Sequence, residues 1–222
     1  MNSFAGAIIA GFTSFVATNI DDIVILTIFF TQVNNTFRRR HIVIGQYLGF
    51  IALIVASLPG FFGGLIVPKA WIGILGLVPI AIGVSQLMSR EKEENEVQVV
   101  SGELNSLKTN NSVMSTLASF LSPQSYKVTA TTFANGGDNI GIYVSLFANS
   151  DLASLLLILS VFFVLIGVWC YIAYLLTRHS TTAHIITRYG QFIAPFVLIS
   201  LGIFILIESG TYRLLPLEIM SK

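Results

Sequence analysis

Two short polar motifs interrupt otherwise apolar stretches and carry the residues best suited to chemistry. The first is Thr18-Asn19-Ile20-Asp21-Asp22, and the second is Asn135-Gly136-Gly137-Asp138-Asn139. Carboxylate and amide oxygens favour calcium, magnesium or manganese on hardness, whereas zinc and cadmium are usually offered thiolate or imidazole as well. The motifs therefore predict an all-oxygen cation site and leave the identity of the ion open.

The two motifs share one spacing of polar residues. When Ala17 is set on Ala134 without a gap, Asp21 falls on Asp138 and Asp22 on Asn139. On a helix, positions i, i+3 and i+4 lie on one face, so each motif is expected to present one polar face. We expect the two faces to meet across a pseudo-two-fold axis.

Three aspartates near the middle of apolar segments need a partner. An ionised side chain at the centre of a bilayer costs about 2.5 to 3.5 kcal/mol on the insertion scale. Lys127 precedes Asp138 by eleven residues, about 16 Å along a helix, and is too far away to pair with it. A cation site accounts for these carboxylates; the alternative is that Asn19 and Asp138 cap broken helices.

The elements that hold these motifs are predicted to be membrane helices. The chain has 222 residues, of which 54% are hydrophobic and 10% charged, with a mean hydropathy of +0.80. Such a composition excludes an ordinary water-soluble domain and predicts an all-α integral membrane protein. Six segments are long enough to cross: Phe4 to Thr31, Ile42 to Gly64, Ala70 to Met88, Tyr126 to Phe147, Leu152 to Leu176 and Phe192 to Ile207.

The six spans divide into two groups of three. Residues 1–88 form the first predicted repeat, 89–121 a polar cytoplasmic linker, and 122–222 the second repeat. Because three is odd, the second repeat must enter the membrane from the opposite side, which makes an inverted repeat. The first span exceeds about 20 residues and is expected to be tilted or broken at Asp21. Gly136 and Gly137 are expected to permit unusual backbone angles.

The distribution of Lys and Arg predicts the orientation. Three connections hold most of the cations, and the opposite side holds few. The first set is Arg38, Arg39, Arg40, Arg90, Lys92, Lys108, Arg178 and Arg188, and the second is Lys69, Arg213 and Lys222. The positive-inside rule therefore places both termini outside a multi-pass protein, and His41, His179 and His184 in solvated cytoplasmic connections.

Several function classes are excluded. A formal net charge of +1 gives no field that would hold nucleic acid. The single cysteine, Cys170, cannot form a disulfide or a thiolate cluster within one chain, and it is expected to be a small buried group. The sequence has no phosphate-binding GxxxxGK[ST] loop and no HExxH pair, so neither ATP-driven transport nor an enzyme is expected. No cofactor is expected; the partners are lipid and a transported ion.

Small and polar residues within the spans have two interpretations. Gly45 with Gly49, and Gly60 with Gly64, give the small-xxx-small spacing that packs helices within one chain or joins two chains in a homodimer. Gln46 lies inside the second span, where it would either line a pathway or form an interhelical hydrogen bond. Close packing within the chain is favoured, and a homodimer stays an alternative.

The chain resembles the bacterial CadD-type cadmium-resistance transporters of the LysE superfamily at the two polar motifs and at Gly45-Gln46-Tyr47-Leu48-Gly49. The resemblance covers nearly the whole chain. It implies a cadmium efflux permease of the bacterial cytoplasmic (inner) membrane. It also implies that the ion ligands are Asn19, Asp21, Asp22, Asn135, Asp138 and Asn139.

Energetics favour proton exchange as the driving reaction. Moving a divalent cation outward against 100 mV costs about 4.6 kcal/mol, at about 2.3 kcal/mol per charge. Exchange for two protons, bound at the same aspartates, would cancel that electrical cost. Two alternatives stay open: export of lysine-type cationic amino acids, and export of another divalent cation such as manganese, zinc or calcium.

Overall fold

The computed structural model describes residues 4–88, 122–137, 139–177 and 180–211, with the backbone alone at 180–188 and 190–191. The predicted linker 89–121, the predicted ligand Asp138 and the predicted connection residue His179 lie outside the described residues, as does the side chain of His184. Every regular element within the described ranges is a helix. The all-α prediction is confirmed for that part of the chain.

The described part contains nine α-helices. They are α1 Phe4–Asn19, α2 Asp22–Thr31, α3 Arg39–Ile66, α4 Lys69–Ile72, α5 Leu77–Met88, α6 Pro123–Asn135, α7 Asn139–Ala148, α8 Leu152–Leu176 and α9 Ser180–Glu208. A 3₁₀ turn, Gly73–Gly76, joins α4 to α5. The predicted spans therefore correspond to helices or to pairs of helices.

Several of these helices are long and apolar enough to cross a bilayer. Arg39–Ile66, Lys69–Met88 and Leu152–Leu176 qualify singly, and the bent pair α1–α2 makes a fourth if it counts as one span. Helix α7 is a shorter apolar helix, and α6, which carries polar residues such as Thr129, Thr132 and Asn135, is separated from it by Asp138, outside the described residues. A multi-pass helical protein is thus established, and six spans stay a prediction.

The first span is broken where the sequence predicts it. The axes of α1 and α2 differ by 61° across a short break after Asn19. The Thr18 hydroxyl donates to the Ser14 carbonyl at 2.8 Å and the Asn19 amide to the Phe15 carbonyl, also at 2.8 Å. Such bonds from a side chain to its own helix compete with the backbone ladder and favour a bend. Asp21 precedes α2 but makes no side-chain capping hydrogen bond.

The second break lies between α6 and α7. Gly136 follows α6 with φ of −86° and ψ of 15°, and its amide donates to the Thr132 carbonyl at 3.0 Å. Neither Gly136 nor Gly137 has a positive φ. The prediction of unusual backbone angles is therefore wrong for this pair. Gly136 instead lies in a tight contact, where a Cβ would displace the end of the Leu53 side chain.

Helix α3 packs tightly along α6 and α7 through its glycines. A Cβ at Gly49 would lie 2.6 Å from the Cβ of Thr132, and one at Gly60 would lie 2.5 Å from the carbonyl oxygen of Val144. Gly45 and Gly64 make similar approaches further along α3. Packing of these glycines within one chain is confirmed. A homodimer through another face stays a prediction.

The helix packing repeats between the two halves. Helix α3 lies along both α6 and α7, and α8 lies along both α1 and α2. Helix α5 packs on α9, where a Cβ at Gly83 would lie 2.7 Å from the Pro195 carbonyl oxygen. Each broken helix pair of one half is thus covered by the long unbroken helix of the other.

The ends of the helices gather in two sets. The Arg39 guanidinium lies 4.3 Å from the ring centroid of Tyr174, which brings the start of α3 next to the end of α8. At the opposite end of α3, Gly64 packs against the carbonyl of Ala148. The Thr211 hydroxyl donates to the Ala70 carbonyl at 3.0 Å, so α9 ends beside the start of α4.

Candidate functional site

The two breaks meet inside the protein, and the aspartates lie at the meeting point. Asp22 is buried, with 5% of its surface exposed, and Asp21 is half-buried. Asp21 immediately precedes α2 and Asp22 is its first residue, so both carboxylates lie at the 61° bend between α1 and α2. The prediction that Thr18, Asp21 and Asp22 share one helical face is therefore wrong, because the bend separates Thr18 from the two aspartates.

Asn135, the last residue of α6, bridges the two carboxylates. Its Nδ2 donates to Asp22 Oδ1 at 2.7 Å and to Asp21 Oδ2 at 3.2 Å. The motifs of the two halves are thus in direct contact, as the sequence predicts. One amide group lies between two carboxylates, the position at which a cation would be held most strongly.

A second amide reaches Asp22 from α3. Gln46 Nε2 donates to Asp22 Oδ2 at 3.3 Å, and the Thr132 hydroxyl donates to Gln46 Oε1 at 2.5 Å. Gln46 is only 4% exposed. The close approach of Gly49 to Thr132 sets the spacing of α3 and α6 at this level. Of the two roles left open for Gln46, the interhelical hydrogen bond is observed, and it ends on the site itself.

This carboxylate cluster, which we define as Asp21, Asp22, Gln46, Thr132 and Asn135, meets α3 nearer to its Arg39 end than to its Ile66 end. Gln46 follows Arg39 by seven residues, about 10 Å along the helix axis. The cluster is therefore displaced toward the arginine-bearing end of the molecule.

A second network of hydrogen bonds joins the end of α1 to α7 and α8. Asn19 Nδ2 donates to Thr18 Oγ1 at 2.8 Å and to the Tyr143 hydroxyl at 2.9 Å, and the Tyr143 hydroxyl also lies 2.8 Å from Thr18 Oγ1. The Trp169 indole donates to the Asn19 carbonyl at 2.7 Å. We call these four residues the tyrosine clasp, because they join α1, α7 and α8 at the break.

Asn139 makes a further contact between the two breaks. Its Nδ2 donates to the Thr18 carbonyl at 3.1 Å. Under the alignment of the two motifs, Thr18 corresponds to Asn135 and Asp22 to Asn139. The contact of Asn139 with Thr18 is thus the counterpart of the contact of Asn135 with Asp22.

The predicted ligands fall into two groups. Asp21, Asp22 and Asn135 belong to the carboxylate cluster, whereas Asn19 and Asn139 hold the breaks together through their amide nitrogens. Among the residues that the structure describes, no three His, Cys, Asp or Glu side chains group as a metal site. Among the other described side chains, the amides of Asn135 and Gln46 reach the two carboxylates.

Sequence reasoning missed three members of these networks. Thr132 lies three residues before Asn135 and Tyr143 four residues after Asn139, so helical spacing alone would have placed both near the motifs. Trp169 carried no such signal, because its partner is a backbone carbonyl. Cys170 is buried at 4% exposure in the hydrophobic core, as predicted.

An aromatic layer continues from the tyrosine clasp. Phe50 and Phe162 pack with ring centroids 5.7 Å apart, and each also contacts the Tyr143 ring, at 5.9 and 5.0 Å. Phe15 contacts both Phe50 and Trp169. These five rings form a layer that we call the aromatic plug, and its Phe50 lies one turn of α3 beyond Gln46, on the side away from Arg39.

Comparisons with known proteins place the chain in a family. No curated protein and no solved structure matches it. A family model described as "Cadmium resistance transporter" matches residues 15–217, which include both breaks and the carboxylate cluster. Since this match covers well over half of the 222 residues, the chain belongs to the cadmium resistance transporter family.

Proposed function

We propose that this chain exports a divalent metal cation, cadmium in the first place, from the cytoplasm in exchange for protons. The observation that carries the proposal is the carboxylate cluster, in which two aspartates from one half share the amide of Asn135 from the other. A pair of carboxylates in a buried site demands a compensating positive charge or protons. A transported cation and counter-transported protons meet that demand in turn.

The metal ligands that we propose are those predicted from the motifs: Asn19, Asp21, Asp22, Asn135, Asp138 and Asn139. The geometry favours Asp21, Asp22 and Asn135 as the centre of the site, since Asn135 Nδ2 lies within hydrogen-bond distance of both carboxylates. Asn19 and Asn139 would contribute through carbonyl oxygens while their nitrogens keep the breaks joined.

A layout of six spans in two inverted repeats fits the packing. Helices α6 and α7 follow α3 from Gly45 to Gly64, a separation of 19 residues, or about 28 Å at about 1.5 Å per residue. That length is close to the roughly 30 Å of a hydrocarbon core. The paired contacts of Thr18 with Asn139 and of Asn135 with Asp22 are those expected of a pseudo-two-fold axis between the breaks.

The proposed orientation puts the carboxylate cluster near the cytoplasm. Arg38, Arg39 and Arg40 lie at the start of α3, and the positive-inside rule assigns that end to the cytoplasm. The aromatic plug, which includes Phe50 one turn of α3 beyond Gln46, would then lie on the outward side of the cluster. Both chain termini would face outward in the bacterial inner membrane.

The proposed cycle follows from competition at shared carboxylates. The cation binds Asp21, Asp22 and Asp138 from the cytoplasm, the helices rearrange, and protonation outside releases it. The protonated carrier then returns. Two protons inward for one divalent cation outward move no net charge, so the electrical cost of about 4.6 kcal/mol per 100 mV disappears.

The test is cadmium accumulation in cells that carry the intact chain, Asp22→Asn, Asp21→Asn or Asp138→Asn. The matched control is Asp151→Asn, an exposed aspartate at the start of α8. We expect low cellular cadmium with the intact chain and the control. The three site variants should reach the membrane and yet leave cadmium at the level of an empty vector.

Two further arms test direction and substrate. Uptake of cadmium into inverted vesicles, whose cytoplasmic face points to the medium, and its loss with a protonophore report on direction and coupling, and excess zinc, manganese, calcium or lysine reports on selectivity. Normal export by both Asp21→Asn and Asp22→Asn would overturn the site assignment. Competition by lysine with none by metals would overturn the metal substrate.

A further inference from the structure

The amides of the carboxylate cluster present nitrogen, not oxygen, to the aspartates. Asn135 donates to Asp22 Oδ1 and Gln46 donates to Asp22 Oδ2. A metal ion is bound by oxygen lone pairs and repelled by N–H donors. A cation bound by Asp22 would thus face the N–H groups of two amides, and either amide would coordinate it only after turning its oxygen toward the ion.

Gln46 is held so that it can turn over without losing its partner. Its Oε1 accepts from the Thr132 hydroxyl at 2.5 Å. A hydroxyl can either donate or accept, whereas a backbone carbonyl can only accept and a backbone amide can only donate. If the Gln46 amide rotates by about 180°, Oε1 faces the carboxylates and Nε2 donates to Thr132 Oγ1.

Because Gln46 and Thr132 are buried, it matters that the Thr132 hydroxyl can either donate or accept. Gln46 is 4% exposed and Thr132 is also 4% exposed, so water cannot readily replace a lost bond to either side chain. A buried polar group without a hydrogen-bond partner destabilises the state that contains it. The hydroxyl of Thr132 can give the Gln46 amide a hydrogen-bond partner in both orientations.

We propose that Gln46 is a further metal ligand, and that its amide turns over between a nitrogen-in state without the ion and an oxygen-in state with it, with Thr132 as the reversing partner. This inference rests on the proposed function, because it takes the carboxylate cluster as the cation site. It adds an oxygen from α3 to a site whose predicted ligands all come from the two breaks.

Infrared difference spectroscopy on purified protein in lipid, with and without Cd²⁺, tests the exchange. Coordination of a side-chain carbonyl by a cation shifts its C=O stretching band, and carboxylate bands shift separately. We expect an amide band that is lost in Gln46→Met and kept in Gln86→Met. Gln86 is a half-buried glutamine of α5 and serves as the matched control.

The outcomes separate this inference from the proposed function. If carboxylate bands respond to Cd²⁺ but no amide band depends on Gln46, the proposed rotation of the Gln46 amide is overturned. The proposed metal site at the carboxylate cluster would still be supported. No response in any band would overturn both.

A second pair of variants tests the reversing partner even if Gln46→Met fails to fold. Thr132→Ser keeps the hydroxyl and Thr132→Val removes it at nearly the same volume. We expect Thr132→Val to raise the KM for cadmium by about tenfold, equivalent to about 1.4 kcal/mol. Thr132→Ser should stay close to the intact chain. Equal KM values for the two variants would overturn the role of Thr132.

Discussion

Tyr143 shows how a single hydroxyl joins the halves of the molecule. The side chain is fully buried, and its hydroxyl accepts from Asn19 and lies within hydrogen-bond distance of Thr18. Its ring packs on Phe50 and Phe162 at the same time. Tyr143 of α7 thereby stabilises the break between α1 and α2 through its hydroxyl, and its ring packs within the aromatic plug.

Replacing Tyr143 with Phe should loosen this joint without opening a cavity. Thr18 and Asn19 keep their bonds to the carbonyls of α1, so the loss is limited to the bonds made by the hydroxyl. We expect a loss of about 1 to 2 kcal/mol in stability, measured by thermal unfolding in detergent. Tyr171→Phe, at an exposed tyrosine of α8, is the control and should melt like the intact chain. Equal melting of both variants would contradict the role of the clasp.

Asp151 links stability to pH at the start of α8. The hydroxyl and the backbone amide of Ser154 hold the pKa of the Asp151 carboxyl below its ordinary value, and the amide lies 2.9 Å from Oδ1. A lowered pKa in the folded state adds stability above the unfolded pKa, near 3.9. That contribution is lost as the pH falls through the folded value.

The prediction compares the intact chain with Asp151→Asn from pH 7 to pH 2. Asparagine also caps helices but does not titrate over this range. The melting temperature of the intact chain, relative to the variant, should fall as the pH drops below about 4. Helical circular dichroism during heating measures this difference. If the melting temperatures of the two proteins change in parallel with pH, the hydrogen bonds between Asp151 and Ser154 contribute nothing to the pH dependence of stability.

Among the helices, α3 depends most on close approach. Gly60 faces the backbone of Val144, whereas a Cβ at Gly63 in the same helix would have nothing within 4 Å. The two glycines are three residues apart and differ only in what they face. They therefore separate the effect of packing from the effect of helix propensity.

Gly60→Ala should destabilise the protein by about 1 to 3 kcal/mol, because the Cβ would meet a carbonyl oxygen that belongs to a packed helix. Gly63→Ala should be neutral or stabilising by up to about 1 kcal/mol, because alanine is the better helix former. Thermal unfolding and the yield of folded protein in the membrane measure both. A loss as large at Gly63 as at Gly60 would mean that α3 is not packed by its glycines.

The molecule as a whole shows what a single sequence reveals. The break at Asp21 and the meeting of the motifs could be predicted, because buried carboxylates among apolar residues must find polar partners. The glycines of α3 were recognised by spacing. The 61° bend, the Trp169 contact and the displacement of the cluster toward Arg39 could not be predicted, since they depend on how whole helices pack. Asp138 lies outside the described residues, and its role stays a prediction.

The contact between Asp22 and Asn135 also bears on how the protein is made. The two residues are 113 positions apart in the chain. At a synthesis rate of about 5 to 20 residues per second, Asn135 follows Asp22 from the ribosome by roughly 6 to 23 seconds. During that interval, the two aspartates lack the amide that bridges them in the folded protein. Water, protons or Gln46 of α3 would have to stabilise them until the second half of the chain is made.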